Sequence, residues 1–286
     1  MEIKPAQVKE LRERTGVGMM DCKKALVESG GDLDAAVEYL RKAGQAKADK
    51  KAGRIAAEGR VIIAEASGRY ALLEVNAETD FVAGDENFLE FANMVGETIV
   101  REQPADVAEL MATSVGETTL EEARTALIAK IGENISVRRF ELLEPAGTVG
   151  SYVHQNRIGV LVELEGATDD LAKDVAMQIA ATSPQFVSAD DVPEQERARE
   201  REILEAQAMQ EGKPAEIVAK MVEGRLRKHF DEITLLGQPF VKNPDQKVRD
   251  LLKGAGASVT RFVRYAVGEG IEKKQENFAE EVAALQ

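Results

Sequence analysis

Apolar positions in the first 43 residues recur at helical spacing in three short runs, Pro5 to Arg14, Met19 to Ser29 and Leu33 to Lys42. Gly16-Val17-Gly18 separates the first two runs, Gly30-Gly31 ends the second, and Asp32 stands where the N-cap of the third belongs. Val8, Leu11, Ala25, Leu26, Leu33, Ala36, Val37 and Leu40 suffice for a miniature core. So small a domain buries little surface, which leaves two readings for Val17, Met19 and Met20: filler between the helices, or an adaptable docking patch. From Arg41 to Arg60 the large apolar residues thin out, and seven Lys/Arg stand against Asp49 and Glu58. That composition reads as a linker, a solvated helical tether; with no aromatic residues interleaved to stack on bases, it offers at most weak RNA contact.

Strand-like patterning replaces helical spacing further on, and it comes twice. Gly59-Arg60-Val61-Ile62-Ile63 followed by Arg69 to Val75 reads as a β-hairpin, and so does Gly147-Thr148-Val149-Gly150 followed by Arg157 to Glu163. In each copy a Thr-Asp pair comes next, Thr79-Asp80 or Thr168-Asp169, and then a helix pattern, Phe88 to Arg101 or Leu171 to Ala181. Each copy closes on a further strand, Val137 to Leu142 or Val259 to Arg264. The second copy is the longer one, and its extra residues hold two helix patterns, Glu194 to Glu211 and Ala215 to Phe230, joined by Gly212-Lys213-Pro214. Ile203, Leu204, Met209, Ile217, Met221 and Leu226 are the expected seam of that inserted helical hairpin. The expected fold class is α+β.

Composition narrows the function. A net charge of -14 argues against a general nucleic-acid coat, which needs a basic face to displace counterions, so no direct nucleic-acid contact is expected. Cys22 is the single cysteine and His154 and His229 are the two histidines, too few for a His/Cys metal site or an intrachain disulfide. There is no phosphate loop, no His-Glu-x-x-His and no Gly-x-Ser-x-Gly elbow, so neither an enzyme nor a cofactor nor a resident metal is expected. No apolar run approaches a membrane span. The start, Met1-Glu2-Ile3-Lys4-Pro5, lacks the features of a secretory signal or a transit peptide, and a cytoplasmic protein is expected. Two rival classes remain on residues alone: a metal-dependent hydrolase using Asp80, His154 and helix carboxylates, and an RNA-tethering scaffold using the basic stretch.

The segment Asn76 to Ala83 puts a carboxylate and an aromatic ring where a strand ends. Thr79 or Asp80 can cap the next helix while Phe81 packs back on it as a staple, or Phe81 can reach a partner. The repeat separates these roles in part: Thr-Asp is shared, whereas Phe81 faces Asp170 in the second copy. The second copy in turn carries His154 at its hairpin tip where the first has Ala66.

Val8 to Leu26, Glu78 to Val82, Arg157 to Val162 and Gly268 to Glu272 closely resemble elongation factor Ts of bacteria, and the resemblance runs over the whole length. It implies a ubiquitin-associated-like three-helix domain with the basic linker (1–54), two related core subdomains (55–144, and 145–189 with 236–267), the inserted antiparallel coiled coil (190–235) and a C-terminal helical module (268–286). Phe278, Val282 and Leu285 fit one face of a final helix there. The implied function is guanine-nucleotide exchange on elongation factor Tu, bound in its GDP and nucleotide-free forms. On the same footing, the segment Thr79, Asp80, Phe81 and Val82 intrudes beside the partner's Mg2+ site, and Arg12, Met19, Met20 and His154 make further contacts. From the residues themselves Arg12 is only a solvated helix charge. A homodimer or 2:2 assembly through the hairpin or the core stays open.

Overall fold

The computed structural model describes residues 3–211 and 215–272, and the fold is α+β. Phe278, Val282 and Leu285 lie outside the described residues. The described chain divides into two compact units, one of residues 143–264 and the other of the remainder.

The first unit opens with α1 (Pro5–Thr15), α2 (Met19–Glu28) and α3 (Leu33–Lys51). A hairpin follows, β1 (Glu58–Ala66) and β2 (Arg69–Ala77), then α4 (Asp80–Ala83), α5 (Glu86–Glu102) and α6 (Val107–Ala112). Two short strands, β3 (Ser114–Val115) and β4 (Thr118–Thr119), lead into α7 (Leu120–Ile131) and β5 (Ile135–Leu143). The sheet order is β1-β2-β5. Phe88, Phe91, Ala92, Val95 and Ile99 of α5 share a buried core with Ala71, Leu73, Val75 and Ala77, the alternate residues of β2. The three small helices bury Val8, Leu11, Cys22, Ala25, Leu26, Ala36 and Leu40 in a core of their own, with Leu33, Val37 and Val17 packed at its edge. Asp32 caps α3 by accepting the Ala35 N–H at 2.8 Å. Val17 is thus partly filler, but Met19 and Met20 are 53% and 79% exposed.

Helix α3 does not stop at Lys42. It continues through the basic stretch to Lys51 because Gly44 and Ala48 are buried, and Gly44 lets the backbone come close to α7: a Cβ there would touch Ala129 Cβ at 3.5 Å. Arg41 pairs with Glu122 across the same contact at 2.8 Å, and Lys47 pairs with Asp21 at 2.8 Å. The small residues that read as a linker are the packed face of a helix.

The second unit repeats the plan with β6 (Thr148–His154), β7 (Ile158–Glu165) and α8 (Asp169–Thr182). The long helices α9 (Glu194–Gln210) and α10 (Ala215–Ile233) are the insertion; β8 (Pro239–Phe240), β9 (Asn243–Lys247), α11 (Val248–Ala255) and β10 (Ser258–Ala266) complete the unit. Its sheet order, β10-β7-β6, matches that of the first: closing strand, second hairpin strand, first hairpin strand. Ala172, Val175, Ala176 and Ile179 of α8 pack on Val160, Val162 and Leu164. The helical hairpin closes on Leu204, Ala208, Val218, Val222 and Leu226. Leu204 and Leu226 are the seam residues expected from sequence, whereas Ile203, Met209 and Ile217 are exposed and Met221 is half-buried. The i,i+4 rows through Ala208 and Val222 set the seam, and size alone misdirects the expectation toward the larger neighbours.

Each three-stranded sheet also buries a carboxylate in its central strand. Glu74 of β2 accepts from Arg138 Nη1 at 3.0 Å, Arg139 Nε at 2.7 Å, the Asn76 amide at 3.1 Å and the Gly268 N–H at 2.8 Å. Glu163 of β7 accepts from Arg261 at 3.0 Å and from the N–H groups of Ala146 and Gly147 at 2.7 and 3.3 Å. Burial raises the Glu74 carboxyl, but the Gly268 N–H, the Asn76 amide and the two guanidiniums outweigh it and hold it below its ordinary value. The folded pKa therefore lies below the unfolded one, and the stabilisation is complete above the ordinary value of 4.5 and lost as pH falls through the depressed folded value. Glu74→Gln is expected to cost on the order of 3 kcal/mol at neutral pH and to flatten this acid-side loss, read by urea unfolding across pH.

Helix α8 lies so close on β6 that a Cβ at Gly150 would sit 2.0 Å from the Ala172 carbonyl oxygen. Gly150→Ala must lift the helix from the sheet and is expected to lower stability by about 3 kcal/mol, read as a drop in the urea midpoint.

Candidate functional site

The chain leaves β2 at Ala77 and makes one helical turn before the long helix begins. Thr79, in extended conformation, caps that turn: its Oγ1 accepts the Val82 N–H at 3.4 Å. Asp85 then caps α5 separately, accepting the Asn87 and Phe88 N–H groups at 2.9 and 3.4 Å. In the second unit Thr168 caps α8 directly through the Leu171 N–H at 3.3 Å, and that helix runs on unbroken from Asp169. The first unit therefore carries an extra turn, α4, between the shared threonine cap and the helix.

The turn is held from below and displayed from above. Ala83 is buried, Val82 packs on the core of the sheet, and Arg60 Nε of β1 donates to the Ala83 carbonyl at 2.6 Å. Asp80 and Phe81 fall on the opposite side of the turn. Phe81 is 87% exposed, and the Asp80 carboxylate has no hydrogen-bond or ion-pair partner among the described residues. Thr79 rather than Asp80 caps this turn, and Phe81, so exposed, is not a staple packed back on the helix.

His154 is the last residue of β6, opposite Ile158, and the turn beyond it carries Gln155 and Asn156 at φ 50° and 58°. Its Nδ1 lies 3.0 Å from Tyr152 Oη, with the rings 6.1 Å apart, so Nε2 is the nitrogen left to a partner. Met19 and Met20 form the first turn of α2, whose N-cap Gly18 provides no side-chain bond, and Arg12 is exposed on α1 with no partner among the described residues. Thr79 to Val82 thus share one turn, Arg12, Met19 and Met20 share the three-helix bundle, and His154 stands in the other unit. Glu133, which accepts both the N–H and the hydroxyl of Thr79, is a residue that sequence reading missed. It lies 54 positions away, and nothing local points to it.

Two cavities of about 550 Å3, one along β1 and α5 and one between α3 and α7, contain none of these residues. Among the described residues no group of three or more His, Cys, Asp or Glu is placed to hold a metal ion, and no helix is long and apolar enough to cross a membrane.

Exposed apolar side chains on turns anchored to rigid sheets, with unpaired polar groups beside them, mark a factor that acts by docking on another macromolecule. Residues 78–269 match the family model described as Elongation factor TS. Over 99% of its length the chain is 62% identical to the Elongation factor Ts of Thioalkalivibrio sulfidiphilus, 57% to that of Alkalilimnicola ehrlichii and 54% to that of Legionella pneumophila, covering 98% of each. The chain belongs to the elongation factor Ts family, the translation elongation factors that exchange guanine nucleotide on elongation factor Tu.

Because Phe81 touches so little of its own protein, Phe81→Ala is expected to change unfolding free energy by less than about 0.5 kcal/mol, read by urea or thermal unfolding.

Proposed function

We propose that this chain acts in the cytoplasm on elongation factor Tu, and that α4 is the wedge that loosens the partner's bound GDP. The observation that carries this reading is Phe81, an aromatic ring 87% exposed on a turn whose other side is pinned to the sheet. Transferring that ring into a gap between partner helices supplies about 2 kcal/mol of apolar burial, which offsets part of the strain of parting them. Asp80, with no partner of its own, brings an uncompensated negative charge to the same place. A Mg2+ ion held beside the partner's nucleotide demands near-ideal octahedral oxygen geometry, so a small displacement of its surroundings weakens it and, with it, the hold on the phosphates.

No bond is made or broken by this chain in that scheme. The factor binds the nucleotide-free partner better than the GDP-bound one, and by reciprocity GDP weakens the factor's binding by the same ratio. Met19, Met20 and Arg12 on the three-helix bundle, and His154 through Nε2, are docking contacts that retain the factor while the wedge acts. Methionine suits such a surface because its flexible thioether adapts to the facing groups.

The test is release of fluorescent GDP from purified elongation factor Tu at saturating factor. Phe81→Ala is expected to slow stimulated release about tenfold or more, in line with the burial lost, and Asp80→Ala to slow it as well. Wild-type rates in both variants would remove α4 from the mechanism.

A further inference from the structure

We propose that Glu133 is a positioning residue for the wedge, holding α4 in the pose that Asp80 and Phe81 require; the proposal rests on the wedge reading above. Glu133 lies in the turn between α7 and β5 and meets the chain at the point where it leaves β2 for α4. Its Oε2 accepts the Thr79 N–H at 3.0 Å and its Oε1 accepts the Thr79 hydroxyl at 2.7 Å. The neighbouring residues return the contact: Glu78 Oε1 accepts the Asn134 N–H at 2.7 Å, and Arg54 Nη1 donates to Glu78 Oε2 at 3.2 Å. The Asn134 amide in turn donates to the Arg54 carbonyl at 2.8 Å. Two adjacent residues on each side are thus clamped reciprocally by charge-assisted hydrogen bonds, and the segment that follows α3 is tied into the same clamp.

The clamp acts on the cap itself. A threonine hydroxyl has one proton to donate, and here it donates to Glu133, which leaves the oxygen's lone pairs to accept the Val82 N–H that begins α4. The same cap in the second unit works without such help. Thr168 accepts the Leu171 N–H at 3.3 Å, and its hydroxyl has no carboxylate partner among the described residues. The threonine cap is common to both units, whereas the clamp belongs to the one that displays Phe81. That restriction is what a positioning role requires, since a one-turn helix has too few internal hydrogen bonds to hold its own orientation.

The experiment is stimulated release of fluorescent GDP from elongation factor Tu, titrated with full-length factor to saturation. Glu133→Ala is expected to lower the maximal rate about tenfold while the half-saturating concentration stays within about twofold, because the docking contacts elsewhere are untouched. Glu133→Gln should give a rate between those of Glu133→Ala and the wild type, since its single amide oxygen can accept from only one of the two Thr79 donors. Added to Phe81→Ala, Glu133→Ala should cost clearly less than it does alone, because only Asp80 is then left to be positioned. A wild-type maximal rate in Glu133→Ala, or a full additional loss in the double variant, overturns the proposal. Should Glu133→Ala unfold, Glu133→Gln carries the comparison, because it keeps the size of the side chain and the Thr79 cap while removing one of the two acceptors, and a wild-type maximal rate there overturns the proposal equally. The underlying wedge reading fails separately, on wild-type release by Phe81→Ala alone.

Discussion

A carboxylate buried in the central strand of each three-stranded sheet is held charged jointly by N–H donors and by arginine from the closing strand. Glu74 depends on Arg138 and Arg139 of β5, and Glu163 depends on Arg261 of β10. Burying either carboxylate without these donors would carry a large desolvation cost, so each site favours the closing strand that brings its arginine. The Gly268 N–H completes the first site, which fastens the chain beyond β10 to the first unit as well. Three-stranded sheets this small would otherwise have little to specify which strand closes them.

On that frame the two copies of one plan have diverged at their connections. The first copy interposes a single turn between a shared threonine cap and the long helix, and the turn's inward face, Val82 and Ala83, leaves Asp80 and Phe81 no direction but outward. The second copy keeps its helix continuous and instead lengthens its hairpin tip, where Tyr152 occupies one nitrogen of His154 and frees the other. Divergence at loop positions changes what is displayed without disturbing the layers beneath.

The apolar runs of β2 and β7, the glycine and aspartate punctuation of the three small helices, and the doubled hairpin-helix-strand order were all legible in the chain, because each is a local pattern or its repetition. The longer α3 and the hairpin seam were not. Gly44 and Ala48 carry no apolar signal of their own and become a packed face only where α7 lies against them. Ala208 outcompetes Met209 for the seam because α9 and α10 meet along a particular row of side chains. At the candidate site, Phe81 and His154 stood out as departures from the repeat, but their freedom to meet a partner is a matter of burial and bonding.

Sequence by itself thus determined the α+β class, the repeat, the helical insertion and the residues that one copy does not share with the other. These follow from periodicity and from comparison of the chain with itself. Tertiary structure alone decided that Phe81 stands clear of the surface and that Glu133 reaches back to the cap at Thr79. The physical reason is distance along the chain: a cap is written within a few residues, whereas a carboxylate 54 positions away meets its hydroxyl only after the sheet has closed.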